Sequence, residues 1–328
     1  MRSMDKNRAK NILLDHIIEI LLVLLIIGMT LASPNFLTMA NILNILRSSA
    51  LKGVIAFGMT MVIIGGQIDL SVGSQVALAG VIVARCCRDL PEVMGISLTL
   101  ACIIGIVLAI LAAIAVGIIH GAAQHKFGMP AFIITLASLN LLYGLAGMLC
   151  GGFPIANVFP AWFGWLGTGK LFGVIPVPAV ILLIVFGVSF FLMTYTTTGR
   201  AVYATGGNAE SARLSGINVF KTKIIIFSAV QIMCVLAAFM NSAQVASGSY
   251  SFGRGWEVDV ISATVIGGAS MDGGIGKPWG TLMGILFLGV INNGMTILNV
   301  DTYMQYVVRA VIMAFAVLMS TYQAKAKA

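Results

Sequence analysis

Apolar runs follow one another along most of this chain, separated by short breaks rich in glycine, proline and charge. A helix needs about 20 predominantly apolar residues to cross the hydrocarbon core of a bilayer. The runs at residues 17–32, 50–65, 70–84, 96–119, 129–149, 177–193, 224–245, 258–270, 280–297 and 303–319 predict about ten membrane segments, several of them short. Only 9% of the 328 residues are charged, where a soluble domain carries roughly a quarter. So few charges cannot cover a water-facing surface, which excludes a soluble enzyme. The expected fold is an all-α integral membrane protein, with residues 1–328 in a single transmembrane domain.

The net charge of +8 raises the question of nucleic acid. The basic residues, however, sit at the termini and in the breaks, with no basic face and no aromatic stacking platform. Their distribution reads as an address across a membrane. With alternating segments, the tails 1–16 and 321–328 and the break 196–223 all fall in the cytoplasm. That side then collects Lys126, Arg200, Arg213, Lys221, Lys223, Lys277, Lys325 and Lys327. Arg2, Lys6, Arg8 and Lys10 precede the first run, but the cleavage pattern is poor and more runs follow. This is a retained first span rather than a removable signal.

Polar residues near or inside the runs are the candidates for function. Asp69 and Asp259 open the third and eighth segments, where a carboxylate is expected to cap a helix, with Ser71 sharing the role of Asp69. Lys52 is expected to snorkel to the headgroups, and His120 and His125 to be interfacial. Arg309 is expected to form a structural ion pair with Asp301 or Glu257. Asn292 and Asn293 must face protein or an aqueous path, so they either hydrogen-bond another helix or line a translocation route. Asp69, Ser71, Asn292 and Asn293 are the candidate path residues. A faint internal repeat pairs Gly117–Gly121 with Gly289–Gly294 and Asp69 with Asp259. The copies fall on opposite sides of the membrane, as an inverted repeat requires.

No catalytic, metal or cofactor motif is present. Gly276-Lys277 is followed by Pro278 rather than Ser or Thr, so it is not a nucleotide-binding loop. No nucleophile elbow or paired metal-binding histidines occur. Cys86, Cys87, Cys102, Cys150 and Cys234 lack metal or redox spacing and are expected to be filler, with a weak redox option at Cys86–Cys87. No segment holds the several carboxylates that an ion relay wants, which disfavours an ion-coupled secondary carrier. The break 206–223 is the unusual one. Gly206-Gly207 is expected to turn sharply, Asn208 to cap a short helix, Gly216 to end it, and Asn218 to lead into the next span. Glu210 and Arg213 share one face, and Ala212 with Leu214 offers a small apolar knob. Such a helix suits a groove on another protein.

These residues resemble a known family. Gly199-Arg200, Ala204-Thr205-Gly206-Gly207-Asn208 and Ala212-Arg213-Leu214-Ser215-Gly216-Ile217-Asn218-Val219 resemble the coupling loop of sugar-importing ABC permeases of the ribose/arabinose/galactose group. Three more blocks, in order, are similar to the same family: Ser33-Pro34-Asn35-Phe36 with Asn41-Ile42-Leu43-Asn44; Gly58–Ile63 with Ile68–Ser74; and Val265–Gly268 with Gly273–Gly276 and Gly280–Gly294. The resemblance implies a type II importer permease in a bacterial inner membrane, carrying a pentose- or hexose-type monosaccharide. It implies a second permease copy, cytoplasmic ATPase subunits holding ATP and Mg, and a periplasmic sugar-binding protein docking near 150–176 and 246–257. Gly206, Gly207, Asn208, Glu210, Ala212, Arg213, Leu214, Ser215 and Gly216 would couple to the ATPase. Gln67, Met271-Asp272, Cys86-Cys87-Arg88 and the loop 251–256 depart from the pattern and leave the sugar open. A branched-chain amino-acid permease is the alternative within the class; the block 204–208 speaks against it.

Overall fold

The computed structural model describes residues 16–327. The basic flank Arg2, Lys6, Arg8 and Lys10 lies outside the described residues, as does Ala328. Thirteen helices run through the described chain: α1 (Ile17–Ala32), α2 (Met39–Ile64), α3 (Val72–Met94), α4 (Leu98–Lys126), α5 (Ala131–Cys150), α6 (Ala161–Thr168), α7 (Val177–Tyr195), α8 (Thr197–Gly207), α9 (Ala209–Leu214), α10 (Val219–Val245), α11 (Trp256–Ile266), α12 (Pro278–Ile297) and α13 (Thr302–Lys327). Two short antiparallel ladders pair β1 (Ile155–Ala156) with β4 (Ser247–Gly248) and β2 (Lys170–Leu171) with β3 (Ile175–Pro176).

Local chemistry sets the ends. The Thr38 side chain accepts from the Asn41 N–H at 3.4 Å and starts α2; Ser97 does the same for Leu100 at 3.3 Å and starts α4. Gly95 and Gly151 adopt left-handed backbone after α3 and α5, a conformation in which glycine pays no Cβ penalty.

Several helices outrun the apolar runs that predict them. The break between the first two runs is not all loop: residues 39–47 form the first third of α2, because Asn41 finds a partner on another helix. The charged stretch 85–92 continues α3, held by Arg85 and Arg88 on Asp89. The break at 120–128 lies largely inside α4. In each case side-chain partners make polar residues affordable within a helix. Among the described residues, α2, α4, α5, α7, α10 and α12 are the six helices long and apolar enough to cross a membrane. The expected ten are not reached on that measure. α1 has 16 residues, α11 has 11, and α3 carries its charges within the helix.

The core is built on α2, whose most apolar stretch is 83% buried, against 28% for α4 and 22% for α5. A helix apolar on all sides belongs at the centre of a bundle or against lipid; here α2 takes the centre, and α4 and α5 turn Leu, Ile and Phe side chains outward. Glycines let the backbones approach. A methyl built on Gly58 would lie 2.7 Å from Val230 Cα on α10, the close small-residue packing typical of membrane helices.

The contacts of the first half recur in the second. α2 runs antiparallel to α12 and α10 antiparallel to α4: Gly289 meets Ser49 and Gly117 meets Ser228. α3 lies along α10 and α4, while α11 lies along α2 and α12. α5 packs on α3 as α13 packs on α11. Both α3 and α11 follow non-helical stretches, and their starts cross. A methyl on Gly73 would sit 2.2 Å from Gly253 O, and one on Gly253 would sit 2.2 Å from Gly73 O. Only glycine fits either position.

Candidate functional site

Two polar clusters flank this crossing. In the first, Asp69 is fully buried just before α3. Its Oδ1 accepts from the Ser71 N–H at 2.8 Å and the Ser71 hydroxyl at 2.6 Å. Its Oδ2 accepts from Gln231 Nε2 of α10 at 2.8 Å, and His120 Nδ1 of α4 lies 3.5 Å away. The Gln231 amide also donates to Ser71 Oγ at 2.9 Å, and His120 Nε2 shares a 2.7 Å hydrogen bond with Ser138 Oγ of α5. Asp69 is therefore not a helix cap. It is a hub joining α3, α10 and α4, because a buried carboxylate is tolerable only with several partners. His120, expected at an interface, is 1% exposed inside this hub. The Asp69, Ser71 and Gln231 side chains reach no surface, so none of them lines an open path in this conformation.

The second cluster surrounds Asp259, in the first turn of α11. The turn is entered through Gly255, and Asp259 makes no capping bond; instead it pairs with two cations. Lys52 of α2 contacts Oδ2, and Arg309 Nη1 of α13 lies 3.7 Å from the same oxygen. Arg309 Nε also donates to Asn292 Oδ1 of α12 at 3.1 Å. Lys52 does not snorkel to headgroups, and Arg309 pairs with neither Asp301 nor Glu257. Both point inward because Asp259 supplies the charge that a buried cation needs. Asn293 and Asn41 exchange two amide hydrogen bonds, at 2.9 and 2.8 Å. That satisfies Asn293 within the bundle as a helix–helix contact, while Asn292 faces the charged cluster.

The clusters correspond part by part. Gln231 grips Asp69 from α10 as Lys52 grips Asp259 from α2. His120 stands on α4 where Asn292 stands on α12, and Ser138 on α5 where Arg309 stands on α13. Gln231, Lys52 and Ser138 were not candidates in the sequence. Gln231 carried a signal nonetheless, since a primary amide in the middle of the apolar run 224–245 is costly unless paired.

The stretch 206–216 lies elsewhere. Gly206 and Gly207 do not turn the chain; they are the last residues of α8. Gly206 is small because a methyl there would lie 1.7 Å from Ile64 O at the end of α2 and 2.8 Å from Gly274 N. Gly274 N–H donates to Ile64 O at 2.7 Å, and Tyr203 Oη donates to Gly276 O at 2.7 Å. The Asn208 side chain accepts from the Ser211 N–H at 2.8 Å and begins α9; Gly216, with φ +84°, follows its end. Asn218 caps α10 through the Lys221 N–H at 2.9 Å. The Ser215 hydroxyl donates to Ser211 O at 2.9 Å. Arg213 grips Glu210 with two hydrogen bonds, at 2.6 and 3.0 Å, and these hold the Glu210 carboxyl below its ordinary range. Ala212 and Leu214 do not form one knob. Ala212 is 4% exposed, packed toward the protein, and Leu214 is 74% exposed. The outward surface is Leu214 with the Glu210–Arg213 pair. Among the described residues no His, Cys, Asp and Glu cluster is arranged to hold a metal ion.

Comparison with known proteins agrees with a transport role. The ribose import permease protein RbsC of Escherichia coli strain K12 is 41% identical over 91% of this chain and 90% of its own length. RbsC of Haemophilus influenzae is 37% identical over 97% of this chain and 98% of its own. The L-arabinose transport system permease protein AraH of Escherichia coli strain K12 is 36% identical over 92% and 89%. No solved structure matches the chain. The model of one family, described as the branched-chain amino acid transport system / permease component, matches residues 41–317. With its apolar helices and its coverage of these relatives, the chain is a multi-pass membrane protein and belongs to that permease family.

Proposed function

We propose that this chain is the permease subunit of an ATP-driven importer for a monosaccharide of the pentose or hexose type. The observation that carries the substrate class is the likeness, along nearly the whole chain, to permeases named for ribose and L-arabinose. The family description names branched-chain amino acids, so leucine uptake is the competing outcome. In this reading the chain hydrolyses nothing. ATP and Mg belong to a cytoplasmic ATPase, a second permease copy completes the path, and a periplasmic binding protein delivers the sugar. The basic breaks put both termini and α9 in the cytoplasm of a bacterial cell with an inner membrane. The matched contacts of α2–α5 and α10–α13 support a single domain built as an inverted repeat, in which α3 and α11 both start within the bilayer. Counting these, the chain has about ten membrane segments.

The ATPase is proposed to grip residues 208–216. α9 is exposed, capped, and joined through α8 to the end of α2 and the loop before α12. The test is uptake of labelled ribose, arabinose and leucine by cells carrying the complete transporter. Arg213→Glu reverses the charge on the outward face, and Gly216→Pro cannot adopt φ +84°. Both are expected to abolish sugar uptake while the protein still inserts. Full uptake in Arg213→Glu sinks the coupling role, and leucine uptake without sugar uptake sinks the substrate class.

A further inference from the structure

A cavity of about 130 Å³ opens beside the Asp259 cluster, lined among others by Ser48, Ser49, Lys52, Asp259, Asn292 and Arg309. At roughly 30 Å³ per water, it has room for about four waters or for part of a small solute. Lys52 lies at the middle of α2, so the cavity sits deep in the bundle. It is nonetheless reachable, because the Lys52 and Arg309 side chains are 29% and 27% exposed.

Packing alone does not call for this cluster. The corresponding one around Asp69 joins the matching elements with an amide, two hydroxyls and an imidazole, and its Asp69, Ser71 and Gln231 are wholly enclosed. Around Asp259 there are two cations for one carboxylate, so donor capacity remains after the ion pairs are made. Ser49 adds a second sign. It is 6% exposed, and its hydroxyl has no hydrogen-bond partner. It faces Gly289, where a methyl would lie 2.1 Å from Ser49 Oγ. Glycine there lets the Ser49 side chain pack directly on the α12 backbone. Buried polar atoms are normally paired, and this hydroxyl stands without a partner at the edge of the cavity.

We infer that this cavity is a binding site for a neutral polyhydroxylated solute on its way through the protein; this rests on the sugar-import reading. The lining selects by chemistry. A cation would meet Lys52 and Arg309, and an anion would have to compete with Asp259 for them. A sugar hydroxyl both donates and accepts. It can give a hydrogen bond to the Asp259 carboxylate or Asn292 carbonyl and accept one from the Lys52 ammonium or Arg309 guanidinium. The carboxylate and ammonium of a free amino acid would pair with the same charges, so L-leucine is the control that the sugars must outdo.

The test is a protection experiment on the full chain in membrane vesicles. Ser48→Cys puts a thiol on the cavity wall, and vesicles with the unsubstituted chain give the background of the five native cysteines. Labelling by a small polar thiol reagent is followed with D-ribose, L-arabinose or L-leucine present. At a sugar concentration about ten times its Kd, labelling is expected to slow about tenfold. Lys52→Gln copies the Gln231 arrangement and so keeps a partner for Asp259. It is expected to require about tenfold more sugar for the same protection, through loss of a charged donor. Unchanged protection in Lys52→Gln overturns the assignment of Lys52. If no solute protects while Arg213→Glu still abolishes sugar uptake, the site is wrong and the import reading survives. If leucine protects and the sugars do not, both are overturned.

Discussion

The Asp69 and Asp259 clusters solve one problem in two ways. Each holds a carboxylate beside the start of a helix that begins inside the bundle, and each receives a grip from the long central helix of the other half. Around Asp69 the partners are an amide, a hydroxyl and an imidazole, all packed away from solvent. Around Asp259 they are an ammonium and a guanidinium, with an open cavity beside them. The difference teaches that the shared geometry belongs to the fold, and the charge belongs to whatever the second half does. The Asp69 carboxylate draws its partners from within the bundle, whereas around Asp259 two cations share one carboxylate and keep donors for a visitor.

The largest effect is expected where nothing can compensate. Gln231→Leu strips Asp69 of its partner on α10, and water cannot replace it. Leaving a buried charge short of partners costs about 3–5 kcal/mol, read as a lower unfolding midpoint in detergent or failure to accumulate in the membrane. A variant as stable as the parent would erase the distinction between the two clusters. Asn293→Leu comes next. It leaves the Asn41 carbonyl on α2 without its partner, while the amide keeps Phe36 O, and is expected to cost about 1–3 kcal/mol, in the same assay, with no change in sugar protection at Ser48→Cys. Altered protection there would move Asn293 from packing to the path. Lys52→Gln is smaller still, within about 1 kcal/mol of the parent. The cluster is half open, and glutamine keeps a hydrogen bond to Asp259. A collapse in stability would make the charged cluster a structural tie after all.

The smallest effect belongs to the Glu210–Arg213 pair, which stands in water. Its hydrogen bonds lower the Glu210 carboxyl, so the pair contributes fully above the ordinary carboxylate value and fades as pH falls through the depressed one. Solvent and salt screen it. Glu210→Gln is expected to leave the unfolding midpoint unchanged at neutral pH and to affect uptake alone. A shift in the midpoint would mean that α9 is held to the protein by this pair.

Spans made of unbroken apolar residues were legible in the sequence. The runs 129–149, 177–193 and 280–297 end close to α5, α7 and α12. Errors cluster where a polar residue has a distant partner. Asn41 lay in what looked like the break between the first two runs, because its partner Asn293 is 252 residues away. Lys52 looked bound for the headgroups because Asp259 is 207 residues away. His120 looked interfacial, with no carboxylate nearby in sequence, although Asp69 lies beside it in space. Periodicity and composition report local cost, whereas the payment comes from tertiary contacts. The short capped helix after Asn208 was legible because a cap and a glycine stop are local. The seat of Gly206 was not, since it depends on Ile64 and Gly274 arriving from elsewhere.

That seat has a mechanical consequence. Where side chains mediate a contact between helices, a small displacement is absorbed by changing rotamers, and the far helix feels only part of it. At Gly206 no side chain intervenes: backbone lies on backbone, and a hydrogen bond from Gly274 closes the same junction. The joint has no backlash. Under the proposed coupling role, a displacement of α9 would reach the end of α2 without passing through side-chain rotamers, and α2 is the helix that carries Lys52.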